Sequence, residues 1–298
     1  MIKRVLKSMN SLTFSISAWR KRITFRVGLI ITTAILLAGA AGGLLPLIYG
    51  WDIGFRIVGE SFQPPSLRHV FGTDDLGRDI FIRILMGTSR ALAQTTIVIV
   101  LSLSIGLFVG AITAYYKGFV EKALLYVTEL FLAIPSILLA LVFVILFGRG
   151  ALTVSLALVV SWWSWYGRFA YLQARAVRDL DFIVLAEHYG LPGIYIIFRH
   201  IVPNIMSPIF IQALTDAGSV VIELATINFL IGVGTTSIEE PDWGLMLGYG
   251  VRYIFNYWWI PLLPGLFIVL MALGFALIGD SLYEEMHPQL KRRWKLWF

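Results

Sequence analysis

The stretch "LAEHYGLPGIYIIFRHIVPN", residues Leu185–Asn204, interrupts a chain built mostly of long apolar runs. Two sets of apolar residues there follow the helical spacing i, i+3, i+4 and i+7, namely Phe182, Leu185, Ala186 and Tyr189, and then Ile194, Ile197, Phe198 and Ile201. Between them, Gly190-Leu-Pro-Gly193 is typical of a turn, because Gly adopts left-handed φ and Pro cannot continue a helix. The pattern predicts two short amphipathic helices joined by a tight bend, with Pro203-Asn204 at the entry to the next apolar run.

Composition indicates a membrane protein. The 298 residues are 58% hydrophobic and 14% charged, with a mean hydropathy of +0.80. A soluble domain carries about 25% charged residues, so this chain has too few polar side chains to cover a water-facing surface. The absence of cysteine excludes a disulfide framework and a thiolate metal site.

Six runs are predicted to be transmembrane helices, so we expect an all-α, polytopic membrane protein. Each has about the 17–25 residues that cross a bilayer, and none alternates as a barrel strand would. The first run follows a basic region but is too long for the core of a signal peptide. The runs are Val27–Trp51, Ala91–Tyr116, Leu130–Gly148, Gly150–Gly167, about Ile205–Gly234 and Tyr253–Gly279.

The basic residues predict the orientation. They concentrate in the N-terminal tail, in the interruption and in the final "KRRWK", which lie on one side if there are six spans. The positive-inside rule places that side, with both termini, in the cytoplasm of a cell whose plasma membrane the chain crosses. Because the charge follows this asymmetry, we do not expect a nucleic-acid partner. The expected regions are a cytoplasmic tail (1–26), a first span (27–51), an extracytoplasmic loop with an interfacial helix (52–90), a core (91–280) and a cytoplasmic tail (281–298).

Two groups of charged residues are candidate sites. Thr73-Asp74-Asp75 followed by "LGRDIFIR" predicts a capped helix with Asp74–Arg78 and Asp79–Arg83 pairs, either solvated at the outer face or engaged in gating or binding-protein contact. Asp216 and Glu223 lie two turns apart on one helix face inside a span, where acids are costly. They either line a permeation path or pair with Arg168 or another subunit. As a proton relay they would indicate a secondary carrier.

Small residues and prolines in the spans predict packing and kinks. Gly39–Gly43 and Gly106–Gly110 have the G-x-x-x-G spacing that permits close helix approach. Pro135 and Pro264 are expected to kink their helices.

Catalytic motifs are absent from the sequence. The histidines, His69, His188, His200 and His287, are scattered and form no H-E-x-x-H pair, so we expect no catalytic, cofactor-binding or metal-binding residues and no membrane enzyme. No G-x-x-x-x-G-K-[ST] loop is present, so the chain should not bind ATP.

Five motifs, in order along the chain, resemble those of ABC importer permeases of the dipeptide, oligopeptide and nickel subgroup, and specifically the second permease of such pairs. The interruption ends in "IIFRHIVPN" with Gly190 at the motif glycine, although Val184-Leu185-Ala186 replaces the family's E-A-A. The other similar stretches are "FGTDDLGRDIFIRILMG" (Phe71–Gly87), "VTELFLAIPSILLA" (Val127–Ala140), "NFLIGVG…PDWGLML" (Asn228–Leu247) and "LIGDSLYEEMHPQLKRR" (Leu277–Arg293).

The resemblance implies a permease with a type I ABC importer fold and coupling helices at about residues 181–202. It implies a second permease as heterodimer partner, two cytoplasmic ATPases that bind the ATP, and an extracytoplasmic binding protein. Peptides are the expected cargo, with oligosaccharides or nickel as alternatives, and a stand-alone secondary carrier or channel is the competing class. The implied coupling residues are Ala186, Glu187, His188, Tyr189, Gly190, Leu191, Pro192 and Gly193, and the outer-face motif residues are Gly72, Thr73, Asp74, Gly77, Arg78 and Asp79.

Overall fold

The computed structural model describes residues 23–234 and 240–286, which are mostly helical and contain no β-strand. The predicted all-α class is confirmed. The first helix already begins at Ile23, inside the predicted tail 1–26. The rest of that tail, the link 235–239, and residues 287–298 with "KRRWK" and His287 lie outside the described residues.

Ten α-helices follow one another in the described part of the chain. A π-helical turn, Ile197–Ile201, joins α7 to α8, and two 3₁₀ turns, Ile53–Phe55 and Val251–Tyr253, lie in the connections. The α-helices are α1 (Ile23–Tyr49), α2 (Ile80–Tyr115), α3 (Phe119–Ala133), α4 (Ser136–Phe147), α5 (Ala151–Arg178), α6 (Asp181–His188), α7 (Gly193–Ile196), α8 (Val202–Val233), α9 (Trp243–Gly250) and α10 (Trp259–Met286).

Four helical stretches of the described chain are long and apolar enough to cross a membrane. They are α1, α2, the continuous helix Gly193–Val233, and Trp259–Glu285 within α10. α3 and α4 pass the same test only together, as a pair bent by 85°, which gives up to five spans. The remaining predicted span lies in α5, whose 28 residues reach about 42 Å but include three Trp and three Ser. α5 is therefore long enough to span a bilayer, although it is less apolar than the other four.

The bend between α3 and α4 lies at Pro135. Ile134 and Pro135 are both extended, with ψ of 125°. Pro disfavours helical backbone in the residue before it and lacks the N–H that would continue the helix. The kink predicted at Pro135 is confirmed, and the predicted span Leu130–Gly148 is a broken helix. Pro264 lies inside α10, where its kink stays a prediction.

α2 begins much earlier than the apolar run that predicted it. It starts at Ile80, not near Ala91, because the Asp79 carboxylate caps it by accepting from the Phe81 and Ile82 N–H groups. The interfacial helix expected within residues 52–90 is thus the first part of α2 itself. Ahead of it, the chain forms turns that fold back on α9 and α10.

Glycines set the closest contacts between helices. A Cβ on Gly110 of α2 would lie 2.5 Å from the Gly167 carbonyl oxygen of α5, and Gly106 is equally crowded. The close packing predicted for this pair is confirmed. Between α1 and α2 the tightest approach is at Gly42, where a Cβ would lie 1.8 Å from Leu85 O, and not at Gly43.

Candidate functional site

α6 ends in a hydrogen-bonded turn built on Gly190. The Gly190 N–H donates to Glu187 O at 2.9 Å, and the Leu191 N–H donates to Ala186 O at 3.2 Å. These bonds form the Schellman motif, which ends many helices at a residue in left-handed conformation. Gly190 has φ +76°, and no described atom lies within 4 Å of the place a Cβ would occupy. Glycine is required by backbone conformation and not by space, as the sequence predicts.

Most of the apolar face predicted to be buried on α6 is exposed in this chain. Ile183 and Ala186 are buried in a cluster with α2 and α5. Phe182, Leu185 and Tyr189 are 41%, 56% and 83% exposed. Only Ala186 of the predicted face packs inside the chain, next to Ile183, and the other three residues stay open to lipid headgroups or to a soluble partner, the two alternatives expected for this face. We call Phe182, Leu185 and Tyr189 the α6 surface, because all three are large side chains that are exposed on one short helix.

The second short helix is not a separate element. α7, the π turn and α8 run as one helix, Gly193–Val233, and Pro203-Asn204 lies in the first turn of α8, at the entry to the span as predicted. The π turn Ile197–Ile201 directly precedes the first turn of α8, and its altered hydrogen bonding, with the Val202 N–H donating to Ile197 O, accommodates Pro203 in the continuous helix. One buried stripe, Ile197, Ile201, Ile205 and Ile209, continues through the junction. The turn after α6 is therefore attached directly to a membrane span.

The turn and α6 are held against the ends of α2 and α5. A Cβ on Gly193 would lie 2.5 Å from the Tyr115 ring, so the start of α7 touches the last residue of α2. Arg178, the last residue of α5, donates from Nε to the Tyr115 carbonyl at 3.1 Å. Three helices thus meet at this end of the molecule.

The outer-face motif forms a buried polar cluster, not a solvated helix. Asp74 accepts from the Leu76 and Arg78 N–H groups at 3.0 and 2.9 Å and from Arg78 Nε at 2.6 Å. The Thr73 hydroxyl donates to Glu60 O at 2.7 Å. Thr73, Asp74 and Arg78 are at most 5% exposed. The expected Asp74–Arg78 pair is present, but Asp74 does not cap a helix, so the predicted helix start at residues 73–75 is wrong.

The second expected pair, Asp79–Arg83, is not formed. Asp79 Oδ2 lies 3.1 Å from His69 Nδ1 while its other oxygen caps α2. Arg83 is 1% exposed and donates to Gly54 O at 2.6 Å, with Asp74 Oδ2 at 3.9 Å from its Nε. The cluster thereby ties the loop before α2 to the start of that helix.

Positive φ explains two motif glycines of this cluster. Gly72 and Gly77 have φ of +77° and +76°. A Cβ on either would also approach a backbone oxygen within 2.5 Å, at Gln63 and Gly59 respectively. Both positions therefore favour glycine on conformation and on space.

Residues of α9 and α10 form hydrogen bonds with this cluster. The Tyr249 hydroxyl donates to Asp75, and the Trp259 indole N–H donates to the Thr73 carbonyl at 3.2 Å. Burial, together with the bond to Asp75, raises the pKa of Tyr249, so its hydroxyl stays protonated and remains the donor. These contacts assign the motif a structural role at the loop between α1 and α2.

Asp216 and Glu223 line one groove on the membrane part of the chain. The groove has a volume of about 470 Å³ and is bordered by the α3–α4 break, by α5 and by α8. Its polar lining includes Ser161, Ser164 and Ser219 beside the two acids. The structure thus brings Asp216 and Glu223 together with Pro135, a proximity that sequence spacing does not predict.

Each acid is held by a tryptophan of α5. Trp165 Nε1 donates to Asp216 at 3.0 Å and Trp162 Nε1 donates to Glu223 at 2.9 Å, and Gln212 adds a bond to Asp216 at 2.8 Å. Neither acid forms an ion pair with a described residue. The expected partner, Arg168, instead pairs with Glu129 at 3.3 Å, so pairing with Arg168 is wrong.

Sequence reasoning missed the two indoles. Trp162 and Trp165 lie in "SWWSWYG", a Trp-Ser pattern unusual for a lipid-facing helix, and this pattern is the signal that could have found them. Their bonds to α8 could not be inferred, because the helices are paired only in the fold.

Comparisons with known proteins agree with this architecture. The family model described as "Binding-protein-dependent transport system inner membrane component" matches residues 102–292. The dipeptide transport system permease protein of Alkalihalophilus pseudofirmus is 34% identical over 265 residues, covering 89% of this chain and 86% of that protein. The oligopeptide transport system permease protein of Bacillus subtilis is 27% identical over 285 residues, covering 93% and 92%. The probable D,D-dipeptide transport system permease protein of Escherichia coli is 31% identical over 226 residues, covering 76% and 75%.

Proposed function

The chain belongs to the family of binding-protein-dependent transport system inner membrane components, and we propose that its cargo is di- and oligopeptides. It is a permease subunit of an ABC importer. The peptide assignment is supported by the relatives, whose names describe dipeptide and oligopeptide transport. The chain lacks a phosphate-binding loop, so the ATP is bound and hydrolysed by partner subunits.

One observation carries the proposal that the 181–202 segment receives the force of ATP hydrolysis. The α6 surface leaves large apolar side chains uncovered, while the turn behind it continues without a break into α8. An eight-residue helix is not stable alone, and α6 packs on α2 and α5 through Ile183 and Ala186, which leaves its opposite side available to a partner. A soluble ATPase that covers the α6 surface would push directly on a span that borders the groove.

The basic residues support the orientation. With α6 and both termini on the cytoplasmic side, Arg175, Arg178 and Arg199 face the side that the positive-inside rule requires. The buried polar cluster then lies on the outer side, where a binding protein would deliver cargo. A second permease would complete the pathway against the groove.

Two other cargo classes remain as alternatives of the same importer: oligosaccharides and nickel. The relatives' names, which describe dipeptide and oligopeptide transport, favour peptides over both. A stand-alone secondary carrier is disfavoured, because it needs no cytoplasmic partner and gives the α6 surface no purpose.

The test is reconstitution. The chain, co-purified with its partner permease and ATPases, is placed in proteoliposomes with the binding protein and a radiolabelled dipeptide. We expect uptake that requires ATP and the binding protein and that stops when the ATPase subunits are omitted. Uptake by this chain alone, driven by a proton gradient, would establish the carrier instead.

A further inference from the structure

We infer that the groove bordered by the α3–α4 break, α5 and α8 is a binding site for a primary ammonium group, the free N-terminus of the transported peptide. The inference rests on the proposed function, since it assigns a subsite within the proposed pathway. Its volume of about 470 Å³ falls in the range of small-ligand sites. Asp216 and Glu223 of α8 both line it.

The acids in the groove have no counter-charge within the described chain. The donors to Asp216 and Glu223 include the two indoles and the Gln212 amide, all of which are neutral. No ion pair with a described residue therefore compensates a charge on either carboxylate at membrane depth. An ionised acid in a membrane is retained when it faces a cationic partner or a water-filled path.

A second observation points to a ligand. Ser161 is 8% exposed and lines the groove, and its hydroxyl has no hydrogen-bond partner among the described residues. An unsatisfied buried hydroxyl is costly, so it indicates a group that is absent from the isolated chain. An ammonium group donates three hydrogen bonds and can serve the hydroxyl oxygen together with a carboxylate.

The aromatic lining selects an organic cation. Trp162 and Trp165 border the groove beside the acids, and indole rings attract ammonium groups through their faces. Asp216 and Glu223 are seven residues apart, which is about 10 Å along α8, too far to chelate one metal ion. That spacing instead offers two successive positions for one ammonium group moving along the pathway.

The helix break explains why the groove can hold water and cargo. Non-helical backbone at membrane depth is tolerated where it lines a cavity, and Ile134 and Pro135 do so. The C-terminal end of α3 and the N-terminal end of α4 meet there, and their dipoles have opposite sign. The two carboxylates therefore decide which charge the groove prefers.

The experiment measures binding in the assembled complex, without the binding protein. The complex is labelled with 5-fluorotryptophan and placed in nanodiscs, and Trp162→Phe and Trp165→Phe assign the two fluorine resonances. Dialanine, N-acetyl-dialanine and dialanine amide are titrated. We expect dialanine and its amide to shift both resonances, and N-acetyl-dialanine to bind about tenfold more weakly, the loss of one charged hydrogen bond.

Variants distinguish a direct contribution of the carboxylates to binding from an effect on packing. Asp216→Asn with Glu223→Gln should weaken dialanine binding to the level of the acetylated peptide. Glu129→Gln, which removes an acid of α3 outside the groove, should leave it unchanged. If the double variant fails to assemble, Glu223→Gln alone and the acetylated peptide on the unaltered complex still decide the matter.

Equal binding of dialanine and N-acetyl-dialanine would overturn the inference, and so would full binding by the double variant. A neutral disaccharide that shifts the resonances as well as dialanine would also overturn it. In each case ATP-driven uptake by the unaltered complex is measured in parallel. Uptake together with binding that shows no ammonium selectivity would refute only this inference. Absence of peptide uptake would refute the proposed function as a peptide importer.

Discussion

Replacing Gly190 tests the coupling turn most sharply, because the structure isolates a single physical cause. No described atom lies within 4 Å of a Cβ at this position, so a side chain meets no steric barrier. The cost comes from φ +76°, which an L-residue adopts at a penalty of about 1–2 kcal/mol. Gly190→Ala should therefore disfavour the present turn by roughly 5- to 30-fold. Gly190→Pro also loses the 2.9 Å bond to Glu187 and should disrupt it most.

The assay is peptide uptake per ATP hydrolysed in proteoliposomes, with substrate-stimulated ATPase activity measured on the same preparation. We expect coupling to fall in the order Gly190→Asn, Gly190→Ala, Gly190→Val and Gly190→Pro, with the complex still inserted in the membrane. Asn is the matched control, because it tolerates left-handed backbone. Unchanged coupling in the Val variant, or equal losses for Asn and Val, would refute the reasoning.

Two further predictions concern stability and a third concerns uptake. Asp74→Asn should destabilise the complex by about 1–3 kcal/mol, because it removes the charged acceptor of the buried Arg78 Nε, and thermal unfolding should show it. Asp52→Asn, which changes an exposed acid paired with Arg56, is the control and should unfold like the parent. Gly110→Ala should lower the free energy of unfolding by about 1–3 kcal/mol, because the added Cβ pushes α2 away from α5. Gly265→Ala, whose Cβ would meet only an ordinary 3.5 Å contact, is the control, and equal melting temperatures for the two variants would contradict the close-approach argument. Trp162→Phe should lower uptake less than Glu223→Gln, because the tryptophan change removes one neutral donor and no charge. Slower uptake by Trp162→Phe than by Glu223→Gln would contradict this prediction.

The apolar runs predicted most helices because a membrane span is recognisable from a long run of apolar residues alone. Their ends were predicted less well, since charge-free runs stop at the first charged residue, whereas α2 carries Arg83 and Arg90 inside its helix. Arg83 is accommodated by the Gly54 carbonyl, a contact that sequence spacing cannot show.

The turn at Gly190 was predictable because glycine's positive φ is a local property. The burial of α6 was not predictable, because the helical spacing allowed Phe182 and Leu185 to face inward. The choice of Ile183 and Ala186 depends on where α2 and α5 lie. The continuity of α7 with α8 was not predictable from Pro203, because this residue marks the entry to the span and does not show that the π turn before it keeps the helix continuous.

The central claim is that a partner ATPase covers the α6 surface. The chain has no cysteine, so Leu185→Cys on α6 and Phe255→Cys, which is 98% exposed between α9 and α10, each introduce a single thiol. Both are tested for cross-linking in the purified complex with a short thiol-to-amine reagent. The account predicts a cross-link to the ATPase subunit from residue 185 and none from residue 255. A cross-link to the ATPase from 255, or none from 185 in an intact and active complex, would contradict it.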